Sequence, residues 1–208
     1  MDSRLKRLLE ETGWGRTDEI SERLEAYADL LVQHNKRHNL VGKLGREQIL
    51  WDLIVDALLP ALVVKPEGDL MDVGSGSGLP GIPLAVAFPE RAVHLVEPRQ
   101  KRVTFLSIAS RKLGLANVTI YRRRIEALTE LDQGSLGTMA AKAFRPPRDW
   151  LEEARRWASP GGLIYLYGST TSWPEEAREG VLEMGLEELG RRRHPLREDR
   201  LGVAFRML

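Results

Sequence analysis

Three glycines that alternate with serines follow a short apolar run and constrain the fold of this chain most strongly. Residues 70–78 read Leu-Met-Asp-Val-Gly-Ser-Gly-Ser-Gly, and Gly74, Gly76 and Gly78 allow a tight backbone turn that approaches a ligand closely. Glu97 follows nineteen positions after Gly78, at the end of the next apolar run. A carboxylate at that spacing is typical of a residue that accepts hydrogen bonds from both ribose hydroxyls. The pattern predicts a pocket for a nucleotide cofactor.

NAD, FAD and S-adenosylmethionine all bind to a glycine turn with a ribose-binding acid. The dinucleotide spacing Gly-x-Gly-x-x-Gly occurs only two residues late, at Gly76, Gly78 and Gly81, and two prolines interrupt the start of the following helix. Asp72 directly precedes the glycines, where a carboxylate would attract the amino group of S-adenosylmethionine and repel a pyrophosphate. The residues therefore favour S-adenosylmethionine, and a glycine-rich turn without a ligand is the alternative.

Composition narrows the class of protein. The 208 residues are 42% hydrophobic and 29% charged, which predicts one sizeable core. The absence of cysteine excludes disulfides, thiolate catalysis and cysteine-based zinc sites, and the four histidines show no metal-ligand spacing, so we expect no metal. The first residues resemble no signal peptide, and no apolar run approaches the ~20 residues of a membrane span. We expect a cytoplasmic, monomeric protein that does not enter membranes.

Basic residues are clustered although the net charge is only +1. Each cluster by itself is typical of a solvated surface, but several clusters beside the cofactor would form a patch that follows nucleic-acid phosphates. The clusters are Arg99, Lys101 and Arg102; Arg111 and Lys112; Arg122, Arg123 and Arg124; and Arg191, Arg192 and Arg193.

Hydrophobic periodicity predicts two helices, 19–38 and 46–62, followed by alternating strands and helices. The predicted strands are 69–73, 92–97, 118–122, 137–143 and 162–167, and the predicted helices are 80–88, 99–114, 147–158 and 174–184. Such alternation is typical of an α/β fold with a mostly parallel, doubly wound sheet that binds its ligand at the carboxyl ends of the strands.

The two last runs, 187–193 and 201–207, are too close in sequence for a helical crossover and should form an antiparallel hairpin. A terminal hairpin after a glycine and acid pocket is the usual arrangement of Rossmann-like methyltransferases. We therefore predict this class I methyltransferase fold. Residues 1–64 would form an N-terminal helical extension packed on the core, and residues 65–208 the cofactor-binding domain.

Three segments of the chain resemble the RsmG (GidB) family. They are Asn-Lys-Arg-His-Asn-Leu at 35–40, Asp-Val-Gly-Ser-Gly-Ser-Gly-Leu-Pro-Gly-Ile-Pro-Leu at 72–84, and Lys-Arg-Val-Thr-Phe-Leu at 101–106. Arg124 and Glu126 resemble the family's Arg-x-Glu, and Lys142 stands before Ala143 where the family usually has arginine. The resemblance covers residues 20–206. It implies a bacterial enzyme that transfers a methyl group from S-adenosylmethionine to guanine N7 in small-subunit ribosomal RNA, with the small subunit or its RNA as partner.

The departures from the family pattern fall mainly where RNA is expected. Of the family pattern His-x-x-Asp-Ser this chain keeps only Asp56, with Leu53 in place of the histidine and Ala57 in place of the serine. Val41 replaces the threonine of Asn-Leu-Thr, Tyr167 replaces the lysine of Lys-Gly, and Leu201 replaces the histidine of Arg-His. These differences concern the substrate more than the reaction type. The alternatives are therefore a methyltransferase of the same fold with another acceptor, or a non-catalytic RNA-binding or assembly module.

Roles for individual residues follow from these motifs. Asp72 would hold the amino acid part of the cofactor, Glu97 the ribose, and Ile125 with Glu126 the adenine. Methylation of guanine N7 needs no general base, because N7 carries a free lone pair, so the enzyme would act mainly by positioning the reactants. The residues expected to border the cofactor's path are Gly74, Ser75, Gly76, Gly78 and Leu79.

Two further residues are candidates for the catalytic centre. Lys142 would position the substrate or the methionine carboxylate, and a lysine that merely extends from a strand end to solvent is the alternative. Asn39 would contact a base or the cofactor carboxyl group, and a helix cap is the alternative.

Overall fold

The computed structural model describes residues 2–208, except the side chains of Arg37, His38, Glu176, Arg178 and Glu179. Two of these side chains belong to the 35–40 motif, so that part of the resemblance lies outside the described residues. The described chain contains one seven-stranded sheet in the order β3-β2-β1-β4-β5-β7-β6. Its strands are β1 Leu70–Val73, β2 Val93–Val96, β3 Val118–Tyr121, β4 Leu136–Ala141, β5 Ala158–Ser169, β6 Leu186–His194 and β7 Arg197–Met207.

The predicted doubly wound sheet is confirmed. Strands β1 to β5 pair in parallel, with β1 at the centre between β2 and β4. All four residues of β1 and of β2 are buried, as expected for central parallel strands that are covered on both faces. The strand order reverses at β1, so the connections that leave the carboxyl ends of β1 and β4 go to opposite faces of the sheet and leave room for a ligand between them.

The C-terminal hairpin is also confirmed, because β6 pairs antiparallel with β7, and β7 pairs antiparallel with β5. His194 connects the hairpin turn to the N-terminal part of the chain. Its Nε2 lies 2.8 Å from the carbonyl oxygen of Trp51, and its Nδ1 accepts a hydrogen bond from the backbone of Leu196 at 3.1 Å. This buried imidazole therefore donates through Nε2 and fixes the turn against the helical segment.

The helices are α1 Ser3–Glu10, α2 Thr17–His38, α3 Arg46–Gln48, α4 Gly81–Ala87, α5 Gln100–Lys112 and α6 Pro147–Trp157. The predicted helix 46–62 is helical throughout but not uniform. After α3 it continues as a π-helical stretch, Ile49–Val55, and a 3-10 stretch, Asp56–Leu62. Pro60 lies in the last stretch and has no N–H to donate, which interrupts regular α-helical hydrogen bonding.

The predicted helix 174–184 was wrong in extent, since only Glu175–Gly180 is helical and it has 3-10 geometry. Gly180 is a poor helix former at the middle of the predicted span, which is consistent with this early end. The connection between β3 and β4 holds only a short 3-10 turn, Ile125–Ala127.

The N-terminal helices and the sheet share one apolar cluster. Leu5 of α1 and Leu24 of α2 belong to the same cluster as Leu70 of β1 and Leu95 of β2. The predicted boundary between residues 64 and 65 falls in the irregular segment before β1, and the division into 1–64 and 65–208 stays a prediction. Within residues 2–208, none of the helices has the length and apolar character needed to cross a membrane.

Candidate functional site

A cavity of about 510 Å³ opens at the carboxyl ends of β1, β2 and β4. It brings together side chains and backbone from the glycine turn after β1, from the end of β2 and from the segment after β4. Six of the residues that the sequence suggested line it: Gly74, Ser75, Gly76, Leu79, Glu97 and Lys142. Their common location is the edge of the sheet where an α/β fold binds its ligands.

The glycine turn has the backbone conformation that its sequence predicts. Gly74, Gly76 and Gly78 have φ values of 71°, 58° and 94°, in the region that favours glycine. The third glycine faces the protein interior rather than the cavity. A Cβ atom on Gly78 would lie 2.5 Å from the Ile82 side chain and 2.9 Å from the Tyr27 hydroxyl. Gly78 therefore serves close packing of the turn on α2 and α4.

Glu97 connects the end of β2 to this turn and is 4% exposed. Its Oε2 accepts a hydrogen bond from the backbone N–H of Gly76 at 2.9 Å, and its Oε1 accepts one from the backbone N–H of Arg99 at 2.9 Å. A carboxylate has about four lone-pair positions, so each oxygen can still accept a hydroxyl. The carboxylate is thereby held in a fixed orientation beside the cavity.

Asp72 lies beneath the glycine turn and is fully buried. Its Oδ2 accepts a hydrogen bond from the Gly81 N–H at 2.9 Å, while Oδ1 has no hydrogen-bond partner among residues 2–208. Burial raises the pKa of this carboxyl to about 7, the Gly81 hydrogen bond lowers it in part, and the charge of Glu97 raises it further. Asp72 is not among the residues that line the larger cavity, from which the glycine turn separates it.

Ile125 and Glu126 line a second cavity of about 250 Å³. Gly74, Pro98 and Phe144 line both this cavity and the larger one. The Phe144 ring lies against the turn, since its Cδ2 is 2.8 Å from the position that a Cβ on Gly74 would take. Phe144, to which sequence reasoning gave no role in the site, thus forms the wall where the two cavities meet.

Arg145 holds the Phe144 segment to its surroundings. Its guanidinium lies 5.1 Å from the centre of the Phe144 ring and donates to Glu126 Oε1 at 2.8 Å. A second carboxylate, that of Glu153, lies 3.4 Å away. Glu126, which was predicted to contact adenine, therefore already forms an ion pair with another residue that lines the smaller cavity.

Lys142 does not simply extend into solvent. Its Nζ lies 2.6 Å from Asp56 Oδ2 and 3.4 Å from the carbonyl oxygen of Leu53, and the two charged side chains are only 14% and 3% exposed. Sequence reasoning noted Asp56 as a retained acid of the family pattern and did not predict this ion pair. An isolated acid within the apolar run 53–59 was the signal that could have indicated a buried ion pair.

Asn39 ends α2 in a left-handed conformation with φ 45°, and it is exposed. It is not among the residues that line the larger cavity. Its neighbour Asn35 holds the following loop, accepting from the Val41 N–H and donating to the Gly42 carbonyl, each at 2.9 Å. The described residues contain no group of three or more histidine, aspartate or glutamate side chains arranged to hold a metal ion.

The fold is that of known methyltransferase structures. A SAM-dependent methyltransferase from Aquifex aeolicus superposes with a TM-score of 0.53 at 16% identity, over 88% of this chain and 98% of that one. Aeropyrum pernix fibrillarin, in complex with S-adenosyl-L-methionine, gives a TM-score of 0.53 at 17% identity, over 67% of each chain. The strand order therefore defines the Rossmann-like fold of these methyltransferases.

Sequence relatives identify the family within this class. The model of the GidB family, described as rRNA small subunit methyltransferase G, matches residues 20–186. Ribosomal RNA small subunit methyltransferase G of Wolinella succinogenes is 39% identical over 150 residues, which are 72% of this chain and 76% of the relative. The protein of that name from Actinobacillus pleuropneumoniae is 32% identical over 189 residues, 91% of this chain and 90% of the relative. The chain belongs to the GidB family.

The buried ion pair of Lys142 leads to a stability prediction. Asp56→Asn keeps the shape of the side chain but leaves the ammonium group buried without its counter-charge, so we expect a loss of about 3–5 kcal/mol in the free energy of unfolding. Urea unfolding monitored by circular dichroism measures the loss. The matched control is Asp52→Asn, because Asp52 pairs with the more exposed Arg197 at 3.4 Å and should cost less than about 1 kcal/mol. Equal losses in the two variants would contradict the assignment.

Proposed function

We propose that this protein transfers a methyl group from S-adenosylmethionine to N7 of a guanine in 16S ribosomal RNA of the small subunit. The observation that carries the proposal is the cavity in which the fixed Glu97 carboxylate faces the glycine turn. Membership in the GidB family supplies the class of acceptor. The proposal includes action as a monomer on the small subunit or its RNA, and hence in the cytoplasm, where that substrate occurs.

The residues of the cavity suit the proposed methyl donor. Glu97 would accept hydrogen bonds from the ribose hydroxyls, and the charge of Asp72, which is buried beneath the turn, would attract the amino group. The backbone from Gly74 to Leu79 would border the part of the donor that lies between its ribose and its amino group. Ile125 and Glu126 would contact the adenine in the smaller cavity, so the Phe144 ring would shift for one ligand to occupy both cavities.

When bound, S-adenosylmethionine supplies an electrophilic methyl group on a positively charged sulfur. The protein's contribution is to hold the acceptor in line with that group and to exclude water, which can supply several kcal/mol of the barrier. Guanine N7 loses no proton, so no side chain is needed as a base. Lys142, whose charge Asp56 balances at 2.6 Å, would orient the acceptor or the methionine carboxylate without adding net charge at the site. Asn39 stays a proposed contact of the acceptor base.

The direct test uses small ribosomal subunits from a bacterial strain that lacks this family's modification. We expect the purified protein to transfer labelled methyl groups to them and to yield 7-methylguanosine after digestion of the RNA. Donor binding without labelled RNA would contradict the proposed acceptor and favour another one. Absence of both donor binding and transfer would favour a non-catalytic module.

Glu97→Ala should weaken the binding of S-adenosylhomocysteine by roughly 1.5–3 kcal/mol, the usual range for hydrogen bonds to a charged group. Calorimetric titration measures the change. Glu90→Ala is the matched control, because Glu90 is exposed in the turn before β2 and should leave the affinity unchanged. Unchanged affinity in Glu97→Ala would show that the ribose lies elsewhere.

The raised pKa of Asp72 predicts how donor-site affinity depends on pH. The carboxyl has a pKa of about 7 in the free protein, and only its charged form attracts the ammonium group of S-adenosylhomocysteine. Below pH 7, binding should therefore release a proton, and the affinity should rise with pH by at most roughly tenfold per pH unit. Above pH 7 the affinity should level off. Titrations between pH 5.5 and 8 measure the profile. Asp72→Asn should bind more weakly with a flat profile, and an unchanged slope in this variant would refute the attraction.

A further inference from the structure

A tyrosine of α2 contacts the glycine turn without lining the larger cavity. The hydroxyl of Tyr27 donates a hydrogen bond to the backbone carbonyl of Ser77 at 2.5 Å, 50 residues further along the chain. Ser77 lines the larger cavity, whereas Tyr27 is not among its lining residues. Tyr27 belongs to the predicted N-terminal extension, so this contact joins a helix outside the predicted cofactor-binding domain to the turn that borders the donor.

The peptide group between Ser77 and Gly78 is held at both of its polar atoms. Its carbonyl accepts the hydrogen bond from Tyr27, and its N–H donates to the Ser75 carbonyl at 2.6 Å within the turn. Ser77 is 6% exposed, so its carbonyl would lose a partner in a nearly water-free environment if the hydroxyl were removed. The tyrosine therefore supplies from outside the turn what the turn cannot supply for itself.

Close packing fixes the position of this hydroxyl. Tyr27 is fully buried, and a Cβ atom on Gly78 would lie 2.9 Å from its hydroxyl oxygen. The helix is also held further along, where the ring of His34 meets the edge of the Phe105 ring of α5 with the centres 5.3 Å apart. The hydroxyl has little freedom to follow the turn, so the turn has to adopt the orientation that the hydroxyl sets.

The hydroxyl keeps its proton and can act as a donor. Burial raises the pKa of Tyr27 well above its usual value, and the charge of Asp72 raises it further. Only the protonated phenol can donate a hydrogen bond to a carbonyl. The contact with Ser77 is therefore maintained at neutral pH.

We propose that Tyr27 is a positioning residue for the methyl donor, holding the peptide group between Ser77 and Gly78 from α2 in the orientation that donor binding requires. The inference rests on the proposed function, and it adds a residue that does not itself touch the donor. Without the hydroxyl, the free turn would adopt other orientations as well. The apparent affinity for the donor falls in proportion to the fraction of molecules that keep the binding geometry.

Tyr27→Phe tests the proposal because it removes the hydroxyl and keeps the packed ring. We expect the Kd for S-adenosylhomocysteine to rise roughly three- to tenfold, the effect of one neutral hydrogen bond on an equilibrium constant. The KM for S-adenosylmethionine should rise by a similar factor, while kcat with unmethylated small subunits stays within about twofold, because ground state and transition state lose the same binding. Calorimetry and steady-state methylation measure these quantities.

Hydrogen exchange of the unliganded protein gives a measurement that does not depend on activity. A peptide that covers residues 74–81 should exchange its amide hydrogens faster in Tyr27→Phe than in the wild-type protein, because the turn opens more often. The amides of β5 should keep their wild-type rates.

Tyr165→Phe is the matched control. Tyr165 is also fully buried, and its hydroxyl also donates to a backbone carbonyl, that of Val64, at 2.5 Å. It lies on β5 and is not among the residues that line the larger cavity. This variant loses the same kind of hydrogen bond, but its Kd for S-adenosylhomocysteine should stay within about twofold of the wild-type value, because the glycine turn keeps its own partner. Titrations are made at a temperature at which circular dichroism shows that both variants are folded.

Three outcomes would overturn the inference. An unchanged Kd in folded Tyr27→Phe would show that the turn does not need the hydroxyl. Equal weakening in Tyr165→Phe, or faster exchange throughout the chain, would assign the hydroxyl a role in general stability only. If the wild-type protein bound no S-adenosylhomocysteine, the proposed function itself would fail, and the inference with it.

Discussion

The hydrogen bonds of Glu97 are the interaction on which the rest of the site depends. One carboxylate accepts from the Gly76 N–H in the turn after β1 and from the Arg99 N–H just before α5. It thereby holds the ends of two neighbouring strands in one geometry before any ligand arrives. Because a buried carboxylate is costly unless it is hydrogen-bonded, the glycine turn and the acid stabilise each other's position. A site held in this way binds its ligand with less loss of conformational entropy.

Buried charge is handled in two different ways around the same cavity. Asp72 keeps one oxygen without a partner among the described residues, and burial shifts its pKa to about 7. Lys142, in contrast, has Asp56 at 2.6 Å and is balanced. The first carboxyl lies beneath the glycine turn, outside the lining of the larger cavity, whereas the second arrangement provides a positive end fixed in the wall of that cavity.

Phe144 determines how the space around the glycine turn is divided. Its ring lies against Gly74 and contributes to the walls of three cavities, of about 510, 190 and 250 Å³. Ala143, which precedes Phe144, has φ 54°, an uncommon conformation for a residue with a side chain. Arg145, which follows Phe144, places its guanidinium over the ring. A short segment after β4 therefore borders both cavities of the proposed donor site.

Local sequence is sufficient to predict the features that depend on neighbouring residues: the positive φ of the glycine turn, the alternation of strands and helices, the terminal hairpin and the position of Glu97 at a strand end. These follow from local sterics and from hydrophobic period, which a linear pattern contains. The three-dimensional structure was needed to show that Lys142 pairs with Asp56, that Phe144 covers Gly74, and that segment 46–62 changes from α to π and 3-10 geometry. Such features depend on which distant side chains share a low-dielectric interior, and long-range packing, not sequence spacing, sets that.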